Sequence, residues 1–253
     1  MLFRSWHGDG APAKKLAKFK QWKLLNSARS GNLLPQSDFE LCKSGVCASL
    51  ALMWLRVMTT GSWEGATATP GGVLQMPSAL QEASTEFVRA ERLMELDGLL
   101  DAKAASKNGD KQVRELCKHY GFTATKGAGM NRPNIQQHIL NAHNLYWGNV
   151  RVYGICVASY WDQFIQDIQA VKTVGHMVAL RWFRLNGGEG PWDSPSRLSH
   201  FFDPNYGEYE IGPDALPRFF EVYFKKLEEI YGQMLSTCIW GICGSKHPAV
   251  TAL

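Results

Sequence analysis

The sequence predicts an α+β fold in which helices come first, a mostly antiparallel sheet follows, and a last helix closes the domain. Two observations carry this prediction. Residues 47–145 show helical spacing of apolar residues, interrupted by loops. Residues 149–203 instead alternate and are rich in β-branched and aromatic residues, which is typical of strands. Because the helices precede the strands rather than alternate with them, an alternating βαβ fold is not predicted, and no glycine-rich phosphate loop follows a strand.

The composition suits one compact domain with reduced cysteines. At 253 residues and 45% hydrophobic content, the chain can bury a full core. Its six cysteines are too few for a disulfide-stapled chain, and no CxxC pair indicates a zinc site. No long apolar run predicts a membrane span, and the N-terminus lacks the layout of a secretory signal peptide. We therefore expect no metal, no cofactor and no Sec-dependent export.

Basic residues are concentrated near the N-terminus, although the formal net charge is only +4. Residues 1–30 contain seven lysines and arginines and a single acidic residue, Asp9. Such a leader is typically solvated or disordered. With Leu16, Phe19 and Trp22 among its lysines, it could also contact an anionic membrane or an acidic partner. Basic residues confined to a leader do not form a folded stripe with stacking aromatics, so no nucleic-acid partner is predicted.

These features divide the chain into three parts. We predict a basic, flexible leader over 1–40, a folded domain over 41–235 and a C-terminal tail over 236–253. The turn-forming residues of GNLLPQSD separate the leader from the domain. The end of the chain, GICGSKHPAVTAL, is typical of a poorly ordered terminus.

The first helix of the domain is predicted to begin at Cys47, just after a Ser-Gly pair. Ser44 is a suitable N-cap, and TTGS at 59–62 ends the helix. Apolar residues follow the cysteine along one helical stripe: Leu50, Ala51, Trp54, Leu55 and Met58. Further helices are predicted over 77–105, 110–120 and 133–143.

Three strands and a final helix complete the domain. The strands are predicted over 149–160, 176–185 and 198–203. The NGGEGPWDSPS segment between the last two is rich in turn formers, which indicates a long hairpin connection and an antiparallel pair. Residues 214–232 return to helical spacing with one apolar face.

Cys47 is either a buried core thiol or a nucleophile at a helix N-terminus. Free cysteine is among the most buried residue types, which favours the first interpretation. At a helix start, however, the unpaired backbone N–H groups and the macrodipole favour a thiolate, and they can bind the oxyanion of a tetrahedral intermediate. Gly45 would let a substrate backbone approach. The local pattern leaves both interpretations open.

A nucleophilic thiol needs a histidine and a residue that orients it. Of the seven histidines, His176 and His200 lie in predicted strands. His176 is favoured because it opens a strand behind a glycine, and strand starts lie next to clefts. Asp203 closes the following strand at a Pro-Asn turn, which would hold its carboxylate in place. Capping of its own turn is the alternative role for this aspartate.

Three blocks, SGVCASLALMWL, GHMVALRWF and FFDPNYGEYEI, resemble in this order the catalytic motifs of the YopT/AvrPphB family of bacterial cysteine proteases. The resemblance is specific to these blocks. It implies a papain-like fold, with the catalytic cysteine at a helix N-terminus packed on an antiparallel sheet that carries the histidine and the aspartate. By motif, Cys47 corresponds to the nucleophile, His176 to the base and Asp203 to the orienting carboxylate.

Two features depart from the family pattern. The segment between His176 and Asp203 is longer than the hairpin usual in the family. Papain-like enzymes also place a glutamine or asparagine a few residues before the cysteine, and residues 41–46 contain neither. We therefore expect the backbone amide of Cys47 as one oxyanion-hole donor and Gln36 as the second.

The resemblance implies a cysteine-type endopeptidase that a bacterium secretes by type III secretion as a virulence effector. It would act in the host cell cytoplasm on a host protein such as a Rho-type GTPase or a kinase, and a secretion chaperone is a further expected partner. The same triad would also serve a glutamine deamidase, a transglutaminase or a cell-wall amidase. A catalytically inactive binding module is the remaining alternative.

Overall fold

The computed structural model describes the core of the chain in several stretches. They are residues 13–30, 35–42, 45–60, 62–63, 66–67, 85–90, 105–124, 128–130, 146–147, 150–165, 170–184, 197–232, 234 and 236–244. The predicted helix over 133–143 and most of the one over 77–105 lie outside these residues, as does the segment between the last two predicted strands.

The described helices include those that the apolar spacing predicts at both ends of the domain. They are α1 (Gln21–Ser30), α2 (Gln36–Cys42), α3 (Cys47–Thr60), α4 (85–90), α5 (Ala105–His119) and α6 (Leu216–Tyr231). The strands are β1 (Lys14–Ala17), β2 (Ser62–Trp63), β3 (Ala66–Thr67), β4 (Phe122–Ala124), β5 (Ala128–Met130), β6 (Tyr146–Trp147), β7 (Val150–Ile165), β8 (Ala170–Arg184), β9 (Arg197–Asp203), β10 (Gly207–Ile211) and β11 (Ser236–Gly244).

The centre of the fold is a sheet with the strand order β1-β10-β9-β8-β7-β11-β4. Every neighbouring pair along this path is antiparallel. β5 also pairs with β11, and β6 pairs with β7. The antiparallel pairing of β8 with β9 is the one that the sequence predicts. The predicted α+β class is confirmed at this level, as helices packed on an antiparallel sheet.

The two faces of the sheet are covered by different helices because side chains alternate along each strand. Residues such as Met177 and Ala179 of β8 belong to an apolar cluster that contains α3. The intervening residues Val178 and Leu180 belong to a second cluster that contains α6. The sheet is therefore a middle layer, with α3 on one face and α6 on the other.

Helix α3 is buried on nearly all sides, as expected for a helix that carries few polar residues. Trp54 stacks on Phe202 of β9 with ring centroids 5.5 Å apart. Its indole Nε1 also donates a hydrogen bond to Glu208 of β10, and both side chains are buried. A buried carboxylate needs such a partner, so this bond ties the helix to the sheet through a polar contact within an apolar layer.

Helix α6 has one apolar face, and that face meets the aromatic residues of β9. Phe201 packs edge-to-face on Phe219, Phe220 and Tyr223, with centroid distances of 4.9, 5.8 and 4.9 Å. Such edge-to-face pairs are favourable beyond the area they bury. The helix ends at Gly232, whose positive φ of 87° suits a glycine.

Residues 13–30 form ordered elements where a flexible leader is predicted over 1–40, and residues 1–12 and 31–34 of that leader lie outside the described part of the chain. β1 pairs with β10, and Phe19 and Leu25 are buried in the core. Gly207 allows β1 to approach β10 closely, since a Cβ at this position would lie 2.1 Å from the carbonyl oxygen of Ala17. Of the lysines that suggest a solvated segment, Lys14, Lys18, Lys20 and Lys23 are exposed, while apolar residues of the same segment complete the core.

The C-terminal region also differs from the prediction of a tail over 236–253. Residues 236–244 form β11, which lies between β7 and β4 in the sheet. Its Trp240 is buried and donates from Nε1 to Asp110 of α5 at 2.9 Å. Residues 245–253 lie outside the described part of the chain. Among the described helices, none is both long and apolar enough to cross a membrane.

Candidate active site

His176 and Asp203 are brought together where β9 ends beside β8. The pairing of the two strands runs as far as Ala179 with Phe202, one residue before Asp203. His176 Nε2 lies 2.9 Å from Asp203 Oδ1, and the two side chains are 6% and 0% exposed. His176 lies inside β8 rather than at its start, because β8 begins at Ala170 and continues along β7. The predicted proximity to a strand end is supplied by β9.

Asp203 is held by donors from its own turn and from α6. The backbone N–H of Asn205 donates to Oδ1 at 2.7 Å, and the hydroxyl of Tyr223 donates to Oδ2 at 2.6 Å. The alternative that Asp203 caps its own turn is therefore also realised, since the Asn205 bond is such a contact. Burial, followed by the charge of Asp203, raises the pKa of Tyr223, so its hydroxyl remains a donor.

His176 is favoured in its charged form by its surroundings. Burial by itself disfavours the imidazolium, but the charge of Asp203 and its hydrogen bond outweigh this effect, and contact with Cys47 adds to them. Together they raise the pKa of His176 well above its usual value. Because Nε2 is taken by Asp203, Nδ1 is the ring nitrogen left for the thiol. The histidine therefore links an acid on one side with a thiol on the other.

Cys47 is the first residue of α3, as its position after the Ser-Gly pair predicts. Its side chain is half-buried, and its sulfur accepts a hydrogen bond from the backbone N–H of Met177 at 3.4 Å. Because Met177 follows His176 in β8, this bond joins the helix N-terminus to the strand that carries the histidine. Cys47 packs on the edge of the core cluster without being enclosed by it.

Gly45 shapes the approach to this helix. Its φ of 113° lies in the region that L side chains rarely adopt. A Cβ at this position would also lie 3.0 Å from Gln21 Oε1. Glycine is required here by both the turn and the close packing of the glutamine.

Gln21 is a site residue that the sequence analysis missed. The side chain is buried, with 3% of its surface exposed. Its Oε1 accepts from the backbone N–H of Val46 at 2.9 Å, and its Nε2 donates to Asn205 Oδ1 at 2.7 Å. Its own backbone N–H donates to the carbonyl of Pro204 at 2.8 Å. No local signal marks this residue, because it lies among the lysines of the segment interpreted as a leader.

The remaining candidates lie elsewhere. His200 faces Glu210 of β10, with 3.7 Å between its Nε2 and the carboxylate, and burial lowers its pKa. Gln36 is exposed at the start of α2, where its Nε2 donates to Glu40 at 3.0 Å. The structure therefore engages Gln36 with its own helix rather than with the thiol, and the second oxyanion-hole donor is not assigned to it. The Cys47 amide stays a prediction for the first donor.

The other four thiols whose side chains the structure describes are not arranged like Cys47. Cys42, Cys117 and Cys156 are buried, and burial raises the pKa of Cys156. Cys238 is half-buried, and burial raises its pKa to about 11. In the described stretches of the chain, no cluster of three or more histidine, cysteine or acidic residues could hold a metal ion.

A comparison with solved structures finds a related fold. The chain resembles a Pseudomonas avirulence protein. The crystal structure of AvrPphB superposes with a TM-score of 0.50, covering 80% of this chain and 93% of that one, at 15% sequence identity. At this identity the similarity shows a shared fold. No protein-family model matches the sequence, and no curated protein matches it.

Proposed function

We propose that this protein is a papain-like cysteine endopeptidase that uses Cys47, His176 and Asp203. The observation that carries the proposal is the placement of His176, which is hydrogen-bonded to a buried aspartate and lies beside a thiol at a helix N-terminus. Nucleophile, base and orienting group in this order are the arrangement that acyl transfer by a thiol requires. The fold shared with AvrPphB, after which the family of the three motifs is named, supports it.

The reaction follows from the contacts of these groups. The Cys47 thiol gives its proton to His176 Nδ1, and the thiolate attacks the carbonyl carbon of a peptide bond. The oxyanion of the resulting tetrahedral intermediate is received by the Cys47 N–H at the start of α3. When the C–N bond breaks, the amine leaves with a proton from His176 Nδ1. Water then attacks the thioester with His176 as base, which releases the acid and restores the thiol. Asp203 holds the ring throughout.

We further propose that the enzyme is a secreted bacterial effector that acts in the host cell cytoplasm on a host protein, such as a Rho-type GTPase or a kinase, with a secretion chaperone as a partner. The fold shared with a Pseudomonas avirulence protein supports this setting. The substrate would have to present an extended segment along β8 beyond the end of β9, next to Cys47, where no strand among the described residues pairs with that side of β8.

The decisive experiment compares the same histidine-to-glutamine substitution at two positions, 176 and 200. A eukaryotic cell lysate is treated with the purified chain, and new protein N-termini are identified by mass spectrometry. We expect His176→Gln and Cys47→Ala to produce none, while His200→Gln cleaves like the unmodified chain. Cleavage by His176→Gln would contradict the proposed triad.

The same samples separate the alternative activities. A deamidase or transglutaminase would leave the target chain intact and change its mass, by about 1 Da for deamidation. A cell-wall amidase would release peptides from purified peptidoglycan and none from the lysate. An inactive binding module would give neither product, and Cys47 would react with alkylating agents no faster than Cys238.

A further inference from the structure

A chain of amide contacts, buried or half-buried, runs from the start of α3 to His176. Gln21 joins the N–H of Val46 to the side chain of Asn205, and Asn205 Nδ2 in turn faces His176 Nδ1 at 3.5 Å. Four segments that are distant in sequence meet in these contacts. None of the three residue blocks that resemble the protease family contains Gln21.

The direction of each contact is fixed by chemistry. The backbone N–H of Val46 can only donate, so Gln21 must present its Oε1 to it. The amide nitrogen of Gln21 is then the group that faces Asn205, and it can only donate to Oδ1. Asn205 is left with its Nδ2 toward His176, where an N–H meets the lone pair of an unprotonated Nδ1. In that tautomer the proton lies on Nε2 and is donated to Asp203.

We propose that Gln21 is a positioning residue that acts through Asn205 to hold neutral His176 in the tautomer with its proton on Nε2. In that tautomer the lone pair lies on Nδ1, so neutral His176 can accept the thiol proton there at the start of the reaction, when the thiol displaces the long 3.5 Å contact with Asn205. The catalytic meaning of this arrangement rests on the proposed function. The tautomer itself does not, because it can be measured in a chain without activity.

The other groups around His176 act in known directions. Asp203 of β9 and Cys47 of α3 act on it directly, and both favour the imidazolium. Lys15 of β1 and the hydroxyls of Tyr206, Tyr209 and Tyr223 interact with Asp203 rather than with the ring. β7 places the uncharged Ser159 opposite His176. Asn205 is therefore the contact that opposes a proton on Nδ1, since its own N–H would meet another N–H.

Gln21→Glu should reverse the donor and acceptor roles of Asn205, because glutamate has nearly the same shape as glutamine but its carboxylate has no N–H to donate. A carboxylate accepts from Val46 with one oxygen and can only accept from Asn205 with the other. Asn205 must then turn its Nδ2 toward residue 21 and its Oδ1 toward His176, where the oxygen stabilises a proton on Nδ1. The titration midpoint of His176 is expected to rise by about one pH unit, because a hydrogen bond now favours the charged ring.

The test measures the ring nitrogens of His176 by ¹⁵N NMR between pH 5 and 10, in the full chain carrying Cys47→Ala. The signal is assigned with His176→Gln. We expect the Nε2–H tautomer in the parent and a higher midpoint in Gln21→Glu. Gln36→Glu, an exposed glutamine with the same charge change, should leave both unaltered. Asn205→Asp, on a half-buried turn, should also raise the midpoint and serves if Gln21→Glu folds poorly.

A further variant separates orientation from simple charge. In the Asn205→Ala background, Gln21→Glu should change the midpoint by less than a third of its effect in the parent. An equal effect in both backgrounds, or an Nδ1–H tautomer in the parent, would overturn the proposal. If the tautomer is as expected while the lysate experiment shows no cleavage, the positioning role stands and the proposed endopeptidase activity fails.

Discussion

The hydroxyl of Tyr223 lies 2.6 Å from Asp203 Oδ2. Tyr223 belongs to α6, which covers the face of the sheet opposite to α3, so the carboxylate of the candidate triad is held from the far side of the sheet. Asp203 Oδ1 contacts His176 Nε2 and accepts from the backbone N–H of Asn205, and Oδ2 accepts from the Tyr223 hydroxyl. The position of α6 thus determines the position of a group that acts on the other face.

Removing this hydroxyl should harm both stability and catalysis. Tyr223→Phe leaves a fully buried carboxylate oxygen without its donor, and we expect a loss of about 1.5–3 kcal/mol in the free energy of unfolding. We also expect a several-fold lower kcat with little change in KM, since substrate does not touch the tyrosine. Tyr209→Phe is the matched control because its hydroxyl accepts from the half-buried Lys15. Equal effects of the two variants on kcat would contradict this role.

The thiols should differ in their reactivity. Iodoacetamide at pH 7 is expected to label Cys47 before Cys238, although both are half-buried, because burial raises the pKa of Cys238 to about 11. Peptide mapping at successive times gives the two rates. His176→Gln should slow labelling of Cys47 and leave Cys238 as before. Labelling of Cys238 at the same rate as Cys47 would show that the helix start and the histidine do not activate the thiol.

Stability should depend on pH through His176. The pKa of this residue is raised in the folded chain, above the value of about 6.5 expected when unfolded. Its contribution is therefore fully present below pH 6.5 and is lost as the pH rises through the folded value. Urea unfolding at pH 6 and pH 9 should show a larger difference between the unmodified chain and His176→Gln at pH 6. A larger difference at pH 9 would mean that the sign is wrong.

The effects of substituting Trp54 and Glu208 on the free energy of unfolding should be non-additive, because the two side chains are hydrogen-bonded to each other. Trp54→Phe removes the indole donor from a buried carboxylate, and we expect a loss of about 2–4 kcal/mol in unfolding free energy. Glu208→Gln in the same chain should recover part of this loss, because an uncharged amide is cheaper to leave without that donor. Trp22→Phe on the exposed side of α1 is the control and should change stability by less than about 0.5 kcal/mol.

Contact with an anionic membrane remains a proposal, and the structure makes it specific. Lys18, Lys20 and Lys23 are exposed next to Trp22, which is 46% exposed. We expect the chain to sediment with phosphatidylserine vesicles at low salt and to dissociate as salt is raised. The double variant Lys18→Glu, Lys20→Glu should lose this binding, whereas Lys225→Glu on α6 should retain it. Equal binding to phosphatidylcholine vesicles would contradict an electrostatic contact.

The sequence predicted those elements whose signal is local. The stripe from Leu50 to Met58 marks α3 because helical spacing repeats over several turns, and alternation marks β8 and β9. The Cys, His and Asp motifs are likewise recognised from the residues next to them in the sequence. Which residues pair across the sheet, and therefore which side chains meet, depends on contacts between distant segments.

β1, β11 and Gln21 are not predicted from the sequence because their local signals are ambiguous. β1 contains Lys14 and Lys15, which suit an edge strand in contact with solvent and equally suit a solvated leader. β11 carries a weak sequence signal because its glycines resemble those of a terminal loop, although its stretch Cys-Ile-Trp-Gly-Ile has the composition of a strand. Gln21 could be recognised only after β1 and α1 were docked, since a buried glutamine has no sequence signature of its own.

The position of β11 in the sheet has a consequence for folding during synthesis. This strand is the last of the described chain to be synthesised, yet it lies inside the sheet, between β7 and the last strand of the path, β4. Until residues 236–244 leave the ribosome, β7 has an open edge and the layer beneath α3 is incomplete. Sheets built from such distant pairings form late and slowly. Partial chains that end before residue 236 would carry Cys47, His176 and Asp203 on an incomplete sheet, so we expect the proposed activity only after β11 has been added.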